Sequence, residues 1–373
     1  HQRNQGPTPE PEAAEPLPEE QSPENRELSW DDVVPVDTVG LEVGYKLIPL
    51  VDKNQGGQLM TRIKGVRKKL TQELGFLIPS VHIRDNLELS PNAYRITLMG
   101  VTVGEAEIYP ERELAINPGQ VFGTLPGVPS RDPAFGMEAV WIETSQRDQA
   151  QTMGYTVVDA TTVIATHLNH LLQTHAHELL GREEVQQLLD NLAKSSPRLV
   201  EGLVPDTLPL GVVHKVLRNL LEEKIPLRDM RTIAENLAAE ATVSQDPGVL
   251  TSALRVAMGR LIIQNINGLR PDLPVITLDH SLERLLQDSM QAEGGGVGIE
   301  PGLAERIHQS LMESAQRQEA AGQPAVLLVS AMLRPMLARF VKHSIANLHV
   351  LSYDEIPDNK QIKIVASIGR NEA

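Results

Sequence analysis

The sequence contains no cysteine, which removes disulfides, thiolate nucleophiles and cysteine-type zinc sites together. That is compatible with a reducing compartment. Aromatic residues make up only 3% of the chain, so its cores have to be built from Leu, Val, Ile and Ala. No run approaches the roughly 18 consecutive apolar residues needed to cross a bilayer, and no signal peptide opens the chain. Positive charge is also scarce. The formal net charge of −15 argues against a dedicated nucleic-acid binder, because phosphates are repelled except at a local basic patch. There is no G-x-S-x-G elbow, and the carboxylates, though plentiful, show no spacing that picks out a general acid and its base. The chain begins with His1 and reads as a fragment, which leaves room for membrane segments upstream.

What is present starts with Leu74–Gly100, LGFLIPSVHIRDNLELSPNAYRITLMG. Val81 and Ile83 in a first alternating run, and Tyr94, Ile96 and Leu98 in a second, predict two half-buried strands. Asp85-Asn86 and Ser90-Pro91-Asn92 supply turn chemistry between them, so a hairpin-like pair is expected. Just upstream, Leu59, Ile63, Val66 and Leu70 share one face of a helix. Arg62, Arg67, Lys68 and Lys69 line the opposite face, which is either solvated or set against an acidic partner.

The chain has 373 residues, for which two to four domains are the expectation. Its first 37 residues read as a flexible acidic linker, too poor in apolar residues to offset the entropy of ordering. Within it Trp30 stands among acids, as a solvated tail end or as an anchor that docks into a pocket. Val39–Leu50 predicts a strand, with Gly44 inside it marking a bulge or a hinge. Val101–Ile108 adds a strand, ELAINPGQ turns the chain at 113–120, and 122–135 (FGTLPGVPSRDPAF) is too irregular for an element. Short strands at Gly136–Glu143 and Tyr155–Val158 flank a short helix. A long helix covers Thr161–Leu180, and helical periodicity runs from 182 to 267. Strands and helices then alternate, which implies a parallel or mixed sheet covered by helices. The expected architecture is α+β and α/β, multidomain. It has a discontinuous α+β first subdomain (38–110 and 160–179) and a small α+β subdomain inserted at 111–159. A helical third subdomain (180–267) and an α/β fourth (268–373) follow.

Two features invite chemistry. His167, His170, His175 and His177 crowd one helix; His170 and His177 lie seven apart and share a face, as a metal pair would. The run HELLG at 177–181 starts like a zinc-protease helix but has Gly181 where the second histidine is required, and solvated or capping histidines are the other account. The glycine cluster Gly294–Gly298 is either a phosphate cradle or a flexible linker, and it lacks the lysine of a P-loop. A metal- or phosphate-dependent enzyme is therefore the competing class. On residues alone the chain is a non-catalytic, cofactor-free protein with interaction surfaces.

The stretch LGFLIPSVHIRDNLELSPNAYRI resembles the signature of the FlhA family, the large export-gate proteins of the flagellar type III secretion apparatus and its virulence counterparts. Further likeness lies in DPAFGMEAVW (132–141), ATHLNH (165–170), LVP (203–205), VLRNLLEEKIPLRDMRTI (216–233), EPGL (300–303) and LRPML (333–337). The resemblance implies the linker and cytoplasmic half of a protein embedded in the bacterial inner membrane. It also implies a nonameric ring that receives export chaperones carrying late substrates and works with the export ATPase complex and other gate proteins. Asp132, Phe135 and Thr166 then match the chaperone-docking dimple, with Pro118 lining the same region. Glu27, Trp30 and Asp32 match the linker peptide that docks on a neighbouring subunit, and Gly44 matches a glycine of inter-subdomain motion. The complete Asp/Phe/Thr set and the Trp linker lean flagellar rather than virulence-type. Without the resemblance, Asp132 is a turn cap and Phe135 a core residue.

Overall fold

The computed structural model describes residues 26–292 and 299–369. The expectations for residues 1–25 and for the Gly294–Gly298 cluster lie outside them. The described residues form two units, a segment ending at Asp37 and a mixed α/β body starting at Thr38. Among the described residues no helix is long and apolar enough to cross a membrane.

The first sheet contains β1 (Val39–Val43), β2 (Val81–Asp85), β3 (Ala93–Leu98) and β4 (Val101–Glu107), in the order β2-β1-β3-β4. The two alternating runs are strands, but they do not pair with each other. β1 lies between them, parallel to β2 and antiparallel to β3. Its Val39, Leu41 and Val43 are fully buried, and a central position satisfies such a strand on both edges. The true hairpin is β3–β4, closed by Met99 and Gly100 with φ of 46° and 79°. Left-handed residues at both positions match the twist of the flanking strands.

Gly44 follows β1 rather than interrupting it; after it come a short helical turn and α1 (Ile48–Val51). Its φ of −67° is open to any residue. The glycine is needed for space, because a Cβ would lie 2.3 Å from the Ser90 carbonyl oxygen and 2.7 Å from that of Pro91. α2 (Gln58–Leu74) buries Leu59, Ile63 and Leu70. On its other face Arg67 Nε donates to the Ile78 carbonyl at 2.7 Å, and Arg62 lies 3.7 Å from Asp159.

The second sheet holds β5 (Glu113–Ile116), β6 (Val128–Arg131), β7 (Glu138–Ile142) and β8 (Thr156–Asp159), ordered β6-β7-β5-β8, with α3 (Arg147–Thr152) before β8. Both β5 and β6 fall where the sequence suggests turns and irregular chain. β6 carries Pro129, which an edge strand tolerates because its missing N–H can point away from the ladder. The sheet is two-faced. Leu114, Ala139 and Trp141 join the main core, whereas Ala115, Ile142 and Val157 build a small core with Leu125, Ala150 and Tyr155. Tyr109 meets Trp141 edge-on at 5.6 Å. A buried apolar seam thus ties this sheet to the main core.

Helices α4 (Ala160–Thr174) and α5 (Ala176–Leu179) divide at His175 what the sequence reads as one helix. Six more follow: α6 (Arg182–Ala193), α7 (Pro197–Leu203), α8 (Leu210–Glu222), α9 (Met230–Glu240), α10 (Pro247–Ala257) and α11 (Gly259–Asn267). α8 buries Val213, Val216, Leu217, Leu220 and Leu221, the stripe its periodicity dictates. Asp229 and Asp246 cap α9 and α10 through the amides of Thr232 and Val249.

The chain then alternates β9 (Asp272–Leu278), α12 (His280–Ala292), α13 (Pro301–Ala320), β10 (Val326–Val329), α14 (Arg334–Val341), β11 (His349–Ser352) and β12 (Gln361–Ile368). The strands form an all-parallel sheet ordered β11-β10-β9-β12. Val326 and Leu328 turn toward the main core, Leu327 and Val329 toward a second one built with α12, α13 and α14. Burial on both faces is the normal state of a parallel sheet.

A cluster of four charges, with Arg255, Arg334 and Glu355 buried and Glu223 part-exposed, joins the helices to this sheet. Arg255 Nε donates to Glu355 at 2.7 Å. Arg334 grips Glu223 with two hydrogen bonds of 2.6 and 3.1 Å. Arg255 also lies 3.4 Å from Glu223, and Arg334 3.5 Å from Glu355. Burial works against the Arg255 charge, but Glu223 and Glu355 outweigh it and hold its pKa up. Removing one member leaves an uncompensated buried charge, which costs about 3–5 kcal/mol. Arg334→Ala is therefore expected to lower the free energy of urea unfolding by about that much. A loss no larger than that of a surface pair, at most ~1 kcal/mol, contradicts it.

Beside this cluster, His349 has its pKa lowered to about 4, first by burial and then by Lys224 and Arg255. The unfolded chain takes up this proton below about pH 6.5, while the folded chain resists until about pH 4. Stability contributed by neutral His349 is thus present at pH 7 and is lost as pH falls across that window. Unfolding measured at pH 7 and pH 4.5 should show wild type losing more stability than His349→Gln. Equal losses would mean His349 titrates alike in both states.

Candidate docking site

The DPAFG segment is the turn between β6 and β7. Asp132 organises it: its Oδ2 accepts the Phe135 amide at 2.9 Å. Its own amide donates to the Met137 carbonyl, and its carbonyl accepts the Gly136 amide, each at 2.8 Å. Arg131 adds a hydrogen bond to the Gly136 carbonyl at 3.1 Å. Asp132 is buried, at 4% exposure, as befits a cap. Phe135 is not core: 61% of it is exposed, in a chain with four phenylalanines.

The other wall is α4. Asp159 caps it by accepting the Thr162 amide at 2.8 Å, with the Thr161 hydroxyl also in contact. Burial raises the Asp159 pKa, but these hydrogen bonds and nearby Arg62 prevail, and the net shift is downward. The helix buries Val163, Ile164, Leu168, Leu171 and Leu172. Thr166 and His170, four residues apart, share another face and are half-buried. The ring of His170 meets Phe135 edge-to-face, with centroids 5.0 Å apart and an interplanar angle of 64°.

Below that contact lies a buried polar pair. Tyr94 of β3 and His167 of α4 are joined by a hydrogen bond of 2.8 Å between the hydroxyl and Nδ1, with the rings edge-to-face at 5.7 Å. The His167 ring sits over Gly104 of β4, where a Cβ would lie 2.8 Å from it and 2.7 Å from Leu171. Burial, then the Asp132 carboxylate, pushes the Tyr94 hydroxyl pKa up. Burial, then His170, pushes that of His167 down, against an opposing pull from Asp132. Both side chains of the pair are thereby held neutral at pH 7.

Pro118 is exposed two residues beyond the β5–β7 ladder, just after Asn117, whose amide donates to the Glu138 carbonyl at 2.8 Å. This brings its backbone alongside the end of the DPAFG turn. The linker residues belong to the separate N-terminal unit. Trp30 is 89% exposed and opens a single helical turn, Trp30–Asp32, capped by Ser29, whose amide donates to Asp32 at 2.7 Å. Glu27 is exposed.

Among the described residues no group of three or more His, Cys, Asp or Glu is placed to hold an ion. His167 is buried rather than solvated, His175 contacts Glu178 at 3.0 Å and His177 faces Glu222 at 3.8 Å. Sequence reasoning missed the roles of Tyr94, His167 and His170. A signal existed for one of them: His167 falls on the apolar stripe 163, 164, 167, 168, 171, 172, where a solvated histidine has no place.

Solved structures share the architecture. The Chlamydia pneumoniae CdsV protein superposes with a TM-score of 0.75 at 24% identity, covering 91% of this chain and 99% of that one. The nonameric SctV-C of EPEC gives 0.71 at 20% identity, covering 90% and 99%. At these identities the likeness is one of fold. In sequence, the Escherichia coli (strain K12) flagellar biosynthesis protein FlhA is 52% identical over 358 residues, 95% of this chain and 51% of its own length. The chain thus spans about half the length of that relative. The FHIPEP family matches residues 1–361, and the chain belongs to that family.

Proposed function

We propose that this chain is the cytoplasmic receptor part of a flagellar export gate, a non-catalytic platform that binds export chaperones with their late substrates and passes the substrates on. The observation that carries the reading is Phe135, a phenyl ring held in the open by a capped turn in an aromatic-poor chain. A large apolar side chain on a rigid support is the usual form of an interface anchor. Thr166, on the same face of α4 as His170, supplies a polar group and Pro118 an exposed edge, while buried Asp132 serves the site by holding the turn. The flagellar assignment is favoured over the virulence-type gate by the 52% identical relative.

The working assembly in this reading is a homo-oligomeric ring, by analogy with the nonameric neighbour of the same fold. It is divided at 38–110 with 160–179, 111–159, 180–267 and 268–373, lies on the cytoplasmic face of the inner membrane and engages the export ATPase complex and other gate components. The linker residues Glu27, Trp30 and Asp32 contact the next subunit. Gly44 acts where a side chain would collide with the Ser90–Pro91 backbone and displace the end of β1.

Phe135→Ala tests the docking site. Truncating a central aromatic anchor typically costs ~2 kcal/mol or more, so affinity for a chaperone–substrate complex in titration calorimetry should fall at least about tenfold, with an unchanged thermal midpoint. Unaltered affinity removes the docking role. For the linker, deletion of residues 27–32 should reduce self-association in sedimentation while far-ultraviolet circular dichroism stays the same; identical sedimentation of both forms would exclude the contact.

A further inference from the structure

We propose that His170 is a positioning residue of the docking site, holding the Phe135 ring in its binding orientation. The inference rests on the docking role of Phe135 proposed above and adds to it a residue whose chemistry is separate.

An exposed side chain ordinarily turns among its rotamers and loses that freedom when a partner binds, which weakens the complex. The hydrogen bond from the Phe135 amide to Asp132 fixes the backbone but leaves both side-chain torsions free. The only aromatic ring meeting Phe135 among the described residues is His170, at 5.0 Å and 64°, the edge-to-face arrangement that ring quadrupoles favour. With 61% of the residue still exposed, this contact restrains the ring without covering it. The remaining surface stays open to an apolar side chain of the chaperone.

His170 can do this because its own position is fixed. It projects from α4, whose N-terminus is capped by Asp159 and whose buried face carries His167, tied to Tyr94. Close packing of His167 and Leu171 against Gly104 sets the height of the helix over the sheet. A ring carried on such a helix is a rigid support, and a site built on rigid elements is more exact than one on a loop alone. The required property is a flat aromatic edge at position 170, not a charge, which makes the role separable by substitution.

The experiment combines His170→Ala, His170→Phe and Phe135→Ala. With phenylalanine ring-labelled, only four residues report, and Phe135→Ala assigns the resonance of interest. In the absence of any partner, His170→Ala should move the Phe135 ring signals to those of a freely rotating exposed phenylalanine, and His170→Phe should restore their dispersion. Affinity for the chaperone–substrate complex should fall roughly threefold to tenfold in His170→Ala, the range expected of an aromatic pair, and recover in His170→Phe. In the Phe135→Ala background the His170 substitution should have no further effect. Unchanged ring signals in His170→Ala overturn the positioning role whatever the affinities. Moved ring signals with wild-type affinity for all variants, Phe135→Ala included, leave the ring contact intact and sink the docking reading instead. If Phe135→Ala weakens binding but His170→Ala does not, only the proposal for His170 fails.

Discussion

One buried contact sets the geometry of the candidate site. The Tyr94 hydroxyl and His167 Nδ1, 2.8 Å apart, join β3 to α4 across a point where Gly104 has no side chain to keep them separate. A hydrogen bond made away from water is costly to leave unpaired, so this pair fixes how α4 lies on the sheet. Everything exposed on that helix inherits the constraint. Thr166 lies one residue before His167 and His170 lies three after it, so the face they present is determined by what is buried beneath. The second wall, the DPAFG turn, is fixed independently by its aspartate cap. The site is therefore an exposed aromatic suspended between two supports that are both satisfied in the interior.

Elsewhere the body is held by a different economy of charge. Arg255, Arg334, Glu223 and Glu355 place two positive and two negative groups in contact. Such clusters often contribute less to stability than to a unique arrangement. Here the groups in contact come from α10, the end of α8 and the terminal sheet's own connections. The second sheet is attached otherwise, by the Leu114, Ala139 and Trp141 seam on one face and its own small core on the other. The docking turn belongs to this sheet, and its opposite wall to α4.

Much of this was legible in the sequence where the signal is local. The α8 stripe and the Tyr94–Leu98 alternation each give their element from spacing alone. Strand partnership is not local, and the expected 81–98 hairpin failed for that reason: β1, distant in sequence and apolar on its inner face, takes the place between the two runs. β6 was hidden by Pro129 and its neighbouring glycine, which read as loop until an edge position makes them acceptable. A glycine in an apolar run suggests a bulge or a hinge, but Gly44 has an ordinary φ and its need is for space. At the site, Asp132, Phe135 and Thr166 were reachable only through family resemblance. Beneath them, Tyr94 and His167 each sit on a face whose periodicity marks it as buried, but that they pair with each other across 73 positions is not local information. The charge cluster draws on residues about a hundred positions apart, which no periodicity reveals.

The central claim is that the surface around Phe135 is where a chaperone with its cargo sits. Several other apolar side chains are at least as exposed, among them Leu269 at 91% and Ile364 at 65%, so exposure by itself does not decide. A photo-reactive phenylalanine analogue installed in turn at positions 135, 269 and 364, and irradiated with the complex, reads out the contact directly. The account predicts a crosslink to the chaperone from position 135 and none from 269 or 364. Crosslinks from either of those positions, with none from 135, would contradict it.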